Sequence, residues 1–132
     1  MPQTITKGVK ALLAEANAVV TTILVEEVKA LIGSEDHVIV DLRDFRELKR
    51  EGKIPGAFSC PRGMLEFWID PESPYHKDVF NQDKTYIFYC ASAWRSALSA
   101  KIAQEMGLSP VAHIEGGFTA WKKAGGEIET VE

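Results

Sequence analysis

The chain has 132 residues, 45% of them hydrophobic and 26% charged, with a formal net charge of −4. That length suits one domain with a single two- or three-layer core and is too short for two, while a mildly acidic balance without a block of Lys or Arg argues against nucleic-acid or anionic-membrane binding. Two cysteines, Cys60 and Cys90, make no disulfide framework and leave a reducing, cytoplasmic compartment as the expectation.

Over residues 7–16, Val9, Leu12, Leu13 and Ala16 recur at helical spacing. They predict an N-terminal helical extension over residues 1–18, ahead of a main domain at 19–132. Glu15 breaks this apolar run, and Glu26, Glu27 and Lys29 interrupt the next, so neither a signal peptide nor a membrane span is expected. Residues 18–22 read as an edge strand. Residues 25–32 read as a helix with Val25, Val28, Leu31 and Ile32 on one face and Gly33 past its end.

Val38-Ile39-Val40-Asp41-Leu42 is an apolar run closed by charge, the pattern of a parallel strand covered on both faces. A charged helix over 45–51 follows, then the turn Ile54-Pro55-Gly56 and a short strand over 57–60. A helix rich in bulky groups is expected over 62–69, broken by Pro71 and Pro74. The remaining elements are a strand over 85–90, a helix over 96–106, a strand over 111–114, a Gly116-Gly117 turn and a last helix carrying Phe118 and Trp121. Strands and helices alternate throughout, which predicts an open, mainly parallel α/β sheet of about five strands with helices on both faces.

Cys90 ends the strand Thr85-Tyr86-Ile87-Phe88-Tyr89 and opens the tight segment Ala91-Ser92-Ala93-Trp94-Arg95-Ser96, after which the helix begins. Loop N–H groups and the positive end of that helix should converge near the sulfur and favour its thiolate. A cysteine at a strand end is more often a small core residue, but a strand, a turn of small residues, an Arg and a helix start are hard to explain as packing alone. Cys90 is therefore the candidate nucleophile. In open α/β sheets ligands sit beyond the C-terminal strand ends, so Asp41, Arg43, Cys90 and Arg95 are expected on one sheet edge.

The chain resembles the single-domain rhodanese-like sulfurtransferases across roughly residues 19–128. The resemblance rests on Val40-Asp41-Leu42-Arg43 with Glu47, Gly52-Lys53-Ile54-Pro55-Gly56-Ala57, the Cys90–Ser96 loop, and Glu115-Gly116-Gly117-Phe118-Thr119-Ala120-Trp121, in that order. It implies a rhodanese-like fold and a sulfur shuttle. Cys90 takes a sulfane sulfur from a donor such as thiosulfate, holds it as a persulfide, and passes it to a thiophilic acceptor such as cyanide or a thiol.

The loop amides of Ala91, Ser92, Ala93, Trp94 and Ser96 would cradle the persulfide, and Arg95 would bind the anionic donor. No metal or organic cofactor is implied. The expected partners are a small anionic donor and a thiophilic acceptor, with neither nucleic acid nor membrane, and with homodimerisation left open. Two alternatives stand beside the enzyme: a noncatalytic binding or regulatory module on the same fold, and a sulfur carrier serving one partner.

Related phosphatases and arsenate reductases resemble a pattern with five residues between Cys and Arg, whereas four separate Cys90 from Arg95 here, a loop better suited to sulfur. Two positions depart from the family pattern. Lys53 stands where His is common, and Ala93 stands where Gly is common, which limits positive φ angles in the loop. Trp94 adds bulk beside the anion site. Asp41 and Arg43 read as a salt bridge supporting the loops, and Cys60 as a core residue. The segment 64–69 reads as core, with a wall of the acceptor site as the minority reading. His37, His76 and His113 lack metal-ligand spacing and read as surface or loop residues.

Overall fold

The computed structural model describes residues 2–132. At its centre lies the aromatic run β4 (Thr85–Tyr89), paired in parallel with β2 (His37–Asp41) on one side and β5 (Val111–Ile114) on the other. β3 (Phe58–Ser59) adds beyond β2 and β1 (Thr21–Ile23) beyond β5, so the five-stranded sheet runs β1-β5-β4-β2-β3 with every pairing parallel. Parallel neighbours need crossovers, and the helices predicted between the strands supply them.

Side-chain alternation along β4 divides the core in two. Tyr86 and Phe88 face α4 (Leu65–Ile69) and α5 (Trp94–Met106), packing with Val40, Leu42, Leu65, Ile69, Ala100 and Ala103. Ile87 and Tyr89 face α2 (Val25–Lys29) and α6 (Gly117–Lys123), packing with Val28, Ile39, Phe118 and Trp121. Ile87 and Phe88 are buried, which stabilises by roughly 1.5–3 kcal/mol for each side chain. Truncating Phe88 to Ala would cost about 3–5 kcal/mol through lost contacts and the cavity left behind.

Helix forms over part of the predicted N-terminal extension and runs one residue past its expected end. α1 (Val9–Val19) rests Leu13 and Ala16 against Ala97 of α5. Several predicted elements shift their ends: residues 18 and 19, expected in the edge strand, belong to α1, and β1 spans Thr21–Ile23. The helix expected over 25–32 stops at Lys29 and gives way to turns. The one expected over 62–69 begins with a 3-10 turn, Arg62–Met64, because Pro61 enters in an extended conformation and Gly63 adds poor helix propensity. The helix after Cys90 starts at Trp94 rather than residue 96. α3 (Phe45–Glu51) matches its predicted bounds, started by the Asp44 carboxylate, which accepts from Arg46 N–H at 2.7 Å. Among the described residues no helix is long and apolar enough to cross a membrane.

Candidate active site

β2 and β4 finish in register, Asp41 beside Tyr89, so Cys90 is the first residue beyond the sheet, at the edge that also carries Arg43. The chain turns here because α6 holds its carbonyls. Phe118 N–H donates to Cys90 O at 2.8 Å and Thr119 N–H to Ala91 O at 3.1 Å. In a trans peptide C=O and N–H point opposite ways, so the N–H groups of Ala91 and Ser92 are turned away from α6. This close approach demands glycine at 117: a Cβ there would lie 2.5 Å from Cys90 O and 2.8 Å from Ala91 O.

The loop closes through Ala93, which takes the left-handed conformation with φ 77° immediately before α5. A non-glycine residue pays roughly 1–2 kcal/mol there. The sequence expectation that Ala93 would limit positive φ meets the opposite outcome: the loop imposes the angle and the alanine carries the strain.

Cys90 is 1% exposed, and Ser96 N–H donates to its Sγ at 3.4 Å. Ser96 sits in the first turn of α5, whose leading N–H groups have no intrahelical acceptor. Among the described residues no side chain caps that end, so the positive pole of a 13-residue helix is open toward the sulfur. Ala91 and Ala93 are half-buried, Ser92 and Trp94 are exposed, and Ser96 is buried. The outer side of this loop lines a cleft of about 540 Å³ shared with Thr22, His113 and Glu115.

Arg95 reaches the same edge, but its guanidinium is already forked onto a carboxylate. Nη1 donates to Glu47 Oε1 at 2.8 Å and Nη2 to Oε2 at 3.1 Å. Glu47 Oε1 also accepts Asp44 N–H at 3.0 Å, tying the start of α3 to the loop. The hydrogen bonds from Arg95 hold the Glu47 carboxyl below its usual range against the opposing effect of burial. The Arg95 pKa is raised, first by bonding to Glu47 and further by that carboxylate's charge and the neighbouring Cys90 sulfur. Glu47 is a site residue to which the sequence reading gave no role.

Asp41 and Arg43 form a fully buried pair, with Arg43 Nη2 2.7 Å from Asp41 Oδ2. Arg43 Nε and backbone N–H donate to Asp41 Oδ1 at 3.0 and 2.9 Å, and Nη2 donates to Gly52 O at 2.7 Å. The guanidinium also stacks 4.2 Å from the centre of the Phe118 ring. Burial pulls the Arg43 pKa down, and the bonds and charge of Asp41 more than offset it. The pair therefore ties β2 to the turn at Gly52 and to Phe118 of α6.

The histidine reading needs correction. His113 is 2% exposed, inside β5. Its Nδ1 lies 2.9 Å from Ser96 Oγ and its Nε2 3.1 Å from Thr22 Oγ1, and burial lowers its pKa. The signal was present: β5 is a short apolar run between other strands, which buries every position it contains. His37 also departs from the surface reading, since it opens β2 half-buried and meets Ser34 Oγ through Nδ1 at 2.9 Å. His76 lies half-buried in a loop, with Nδ1 2.9 Å from Trp68 O.

Cys60 is fully buried, and burial pushes its thiol up to about 12. In the segment 64–69, Leu65 and Ile69 are core residues and Trp68 packs edge-on against Phe58 at 5.9 Å. Phe67 is the one large hydrophobic side chain of this segment that is mainly solvent-exposed, at 53%.

Comparison with known proteins identifies the family. Residues 24–124 match the Rhodanese-like domain family. The chain is 63% identical to a Rhodopseudomonas palustris protein described as of unknown function and a possible tyrosine phosphatase, with a TM-score of 0.95 over 98% of this chain and 99% of that one. It is 27% identical to a thiosulfate sulfurtransferase structure from Pseudomonas aeruginosa, with a TM-score of 0.77 over 94% of this chain and 23% of the other. The mouse thiosulfate sulfurtransferase/rhodanese-like domain-containing protein 3 is 27% identical over 72% of this chain, which spans 64% of the mouse protein's length.

Proposed function

Because the chain belongs to the rhodanese-like domain family, we propose that it is a sulfurtransferase working through a persulfide on Cys90. In the loading step the Cys90 thiolate attacks the outer sulfur of a donor such as thiosulfate. A new S–S bond forms, the donor's S–S bond breaks, and sulfite leaves with the electron pair. In the discharge step an acceptor such as cyanide or a thiolate attacks the outer sulfur, and the electron pair of the broken bond returns to Sγ. The cycle is covalent and two-step.

One observation carries the proposal: Sγ lies under the open N-terminus of α5 with Ser96 N–H directed at it. A helix N-terminus and its free amides stabilise negative charge, which both the attacking thiolate and the persulfide bear. The N–H groups of Ala91, Ser92, Ala93 and Trp94 are the remaining donors for the outer sulfur. Arg95 keeps N–H groups beyond the two that Glu47 takes, and these receive the anionic end of the donor. With Cys90 almost fully enclosed, a small donor that presents one reactive sulfur fits best.

Incubation with thiosulfate should add one sulfur atom to the intact mass, Cys90→Ser should gain none, and cyanide should strip the sulfur as thiocyanate. A protein that loads but turns over only with one partner is a carrier, and one that never loads is a binding module. The description of the Rhodopseudomonas palustris protein makes aryl-phosphate hydrolysis the competing activity. Four residues between Cys90 and Arg95 make a tight cradle for a phosphoryl group. Phosphatase turnover abolished by Cys90→Ser, without sulfur loading, would overturn the proposal.

A further inference from the structure

We propose that His113 is a positioning residue for the reacting sulfur: anchored through Thr22, its ring holds Ser96 so that the Ser96 N–H stays aimed at Cys90 Sγ, chiefly when that sulfur leaves. The inference rests on the sulfurtransferase reading and adds to it a residue from the neighbouring strand β5.

A continuous polar chain runs through the protein here. Thr22 Oγ1 meets His113 Nε2 at 3.1 Å, His113 Nδ1 meets Ser96 Oγ at 2.9 Å, and Ser96 N–H meets Cys90 Sγ at 3.4 Å. Thr22 is the direct cross-strand partner of His113 between β1 and β5, so the sheet fixes the ring from behind. The other residues of β5 are Val111, Ala112 and Ile114, all buried. A buried imidazole among them loses hydration and must recover it through hydrogen bonds. A neutral ring has one donor and one acceptor nitrogen, and two hydroxyls satisfy both.

Ser96 is fully buried at the first turn of α5. Without a partner its hydroxyl would turn to nearby backbone groups, as serines near helix starts readily do. His113 removes that choice and thereby fixes the turn whose N–H meets the sulfur.

The direction of charge movement separates the two steps. During loading Sγ gives up negative charge as it bonds to the donor sulfur, so a hydrogen bond to Sγ is worth less in the transition state than before it. During discharge negative charge returns to Sγ, and the same bond is worth more. Only interactions that strengthen on the way to the transition state accelerate a step, so loosening Ser96 should slow discharge and leave loading nearly unchanged.

Two variants isolate the Ser96 contact. The side-chain amide of His113→Asn can occupy the place of Nδ1, whereas that of His113→Gln reaches the place of Nε2 and keeps Thr22 alone. With the full chain, loading by thiosulfate and discharge by cyanide are followed separately in single turnovers. His113→Gln should discharge about tenfold more slowly, with loading changed less than about threefold, and His113→Asn should stay within about threefold of wild type in both, the scale of one hydrogen bond. In a Ser96→Ala background His113→Gln should add no further loss.

Equal discharge rates for the two variants would overturn the proposal. So would proportional slowing of both steps, or losses that follow melting temperature. If the wild-type protein takes no sulfur at all, the sulfurtransferase reading fails while the positioning role remains testable. In that case the Ser96 amide hydrogen should exchange with solvent several-fold faster in His113→Gln than in His113→Asn, and equal exchange would sink the role.

Discussion

Glu47 and Arg95 face each other across the mouth of the site through two parallel hydrogen bonds of 2.8 and 3.1 Å, one carboxylate oxygen to each guanidinium nitrogen. The charge that the loop motif offers to an anion is thus offset by a carboxylate on a different helix. This arrangement fixes the plane of the guanidinium while weakening its pull on a dianion.

Glu47→Gln should therefore favour anionic donors. Removing the negative charge leaves Arg95 uncompensated beside the entrance, and KM for thiosulfate should fall about threefold, the scale of a partly screened charge interaction. Gln keeps an oxygen for Asp44 N–H, so α3 should retain its start. Because Arg95 is about a third exposed, with its side chain at 35%, the lost pair should cost no more than about 1 kcal/mol. Steady-state kinetics with thiosulfate and a neutral acceptor at two salt concentrations check this. A raised KM would mean that the fork, rather than the charge, binds the donor.

Ala93→Gly should stabilise the protein. The native φ of 77° strains alanine and suits glycine, and the gain of roughly 1–2 kcal/mol is reduced by the extra freedom of glycine in the unfolded chain, roughly 0.5–1 kcal/mol. Urea denaturation should show a net increase of about 0.5–1 kcal/mol. Ala93→Val, with a branched Cβ at the same angle, should move the midpoint the other way. A lower midpoint for the glycine variant would show that the strain is not where the dihedral angle places it.

This position shows what the sequence could and could not convey. Local patterns reveal elements because burial on both faces writes continuous apolar runs: β2, β4 and β5 were legible from Val38–Val40, Tyr86–Phe88 and Val111–Ile114. The place of Cys90 was legible because an apolar strand, small residues and a helix start follow one another around it in the sequence. The partner of Arg95 was not, since 48 residues separate it from Glu47 and nothing in a helical stretch of mixed charge says which carboxylate turns inward. Ligand spacing says nothing about where His113 lies, whereas the apolar strand around it implies burial.

Stability should fall on acidification in two stages with distinct owners. Burial lowers the His113 pKa from its ordinary 6.5. Above that value both folded and unfolded forms are neutral and nothing changes. Below it the unfolded chain takes up a proton first, so stability declines as pH falls, by at most about 1.4 kcal/mol per pH unit, until the folded ring protonates too. Glu47, lowered from 4.5 by Arg95, contributes stability above 4.5 that disappears as pH drops through its folded value. Denaturation midpoints between pH 7 and 5 should slope for wild type and flatten in His113→Asn, while the steeper loss below 4.5 remains. An unchanged slope in that variant would assign the upper stage to another group.

Cys60 and Cys90 should be chemically distinct despite both being enclosed. Burial drives the Cys60 thiol up to about 12, and the nearby Glu66 charge adds to that shift, so almost none of it is thiolate at pH 8. Iodoacetamide on the folded protein at pH 8 should label one site, and peptide mapping should place it at Cys90. After loading with thiosulfate that site should be protected until cyanide is added. Early labelling of Cys60 would mean that the segment after β3 opens to solvent.

Asp41→Asn should be among the most damaging single changes outside the loop. The substitution keeps shape but leaves the Arg43 guanidinium buried with Gly52 O and the Phe118 ring as its main remaining partners. Its Nη1 already lacks a partner among the described residues, so little reserve exists to solvate the charge. Removing one member of a fully buried pair costs about 3–5 kcal/mol because the other is left uncompensated, whereas replacing both with apolar residues of similar volume is often neutral. The double variant Asp41→Leu/Arg43→Met should accordingly recover most of the stability lost in Asp41→Asn, measured by urea denaturation with an unchanged m value. It should not recover full sulfur transfer, because the Arg43 contact that ties Gly52 to the sheet edge would be gone. Recovery of both would reduce the pair to filler, and recovery of neither would show that the clamp is needed to fold.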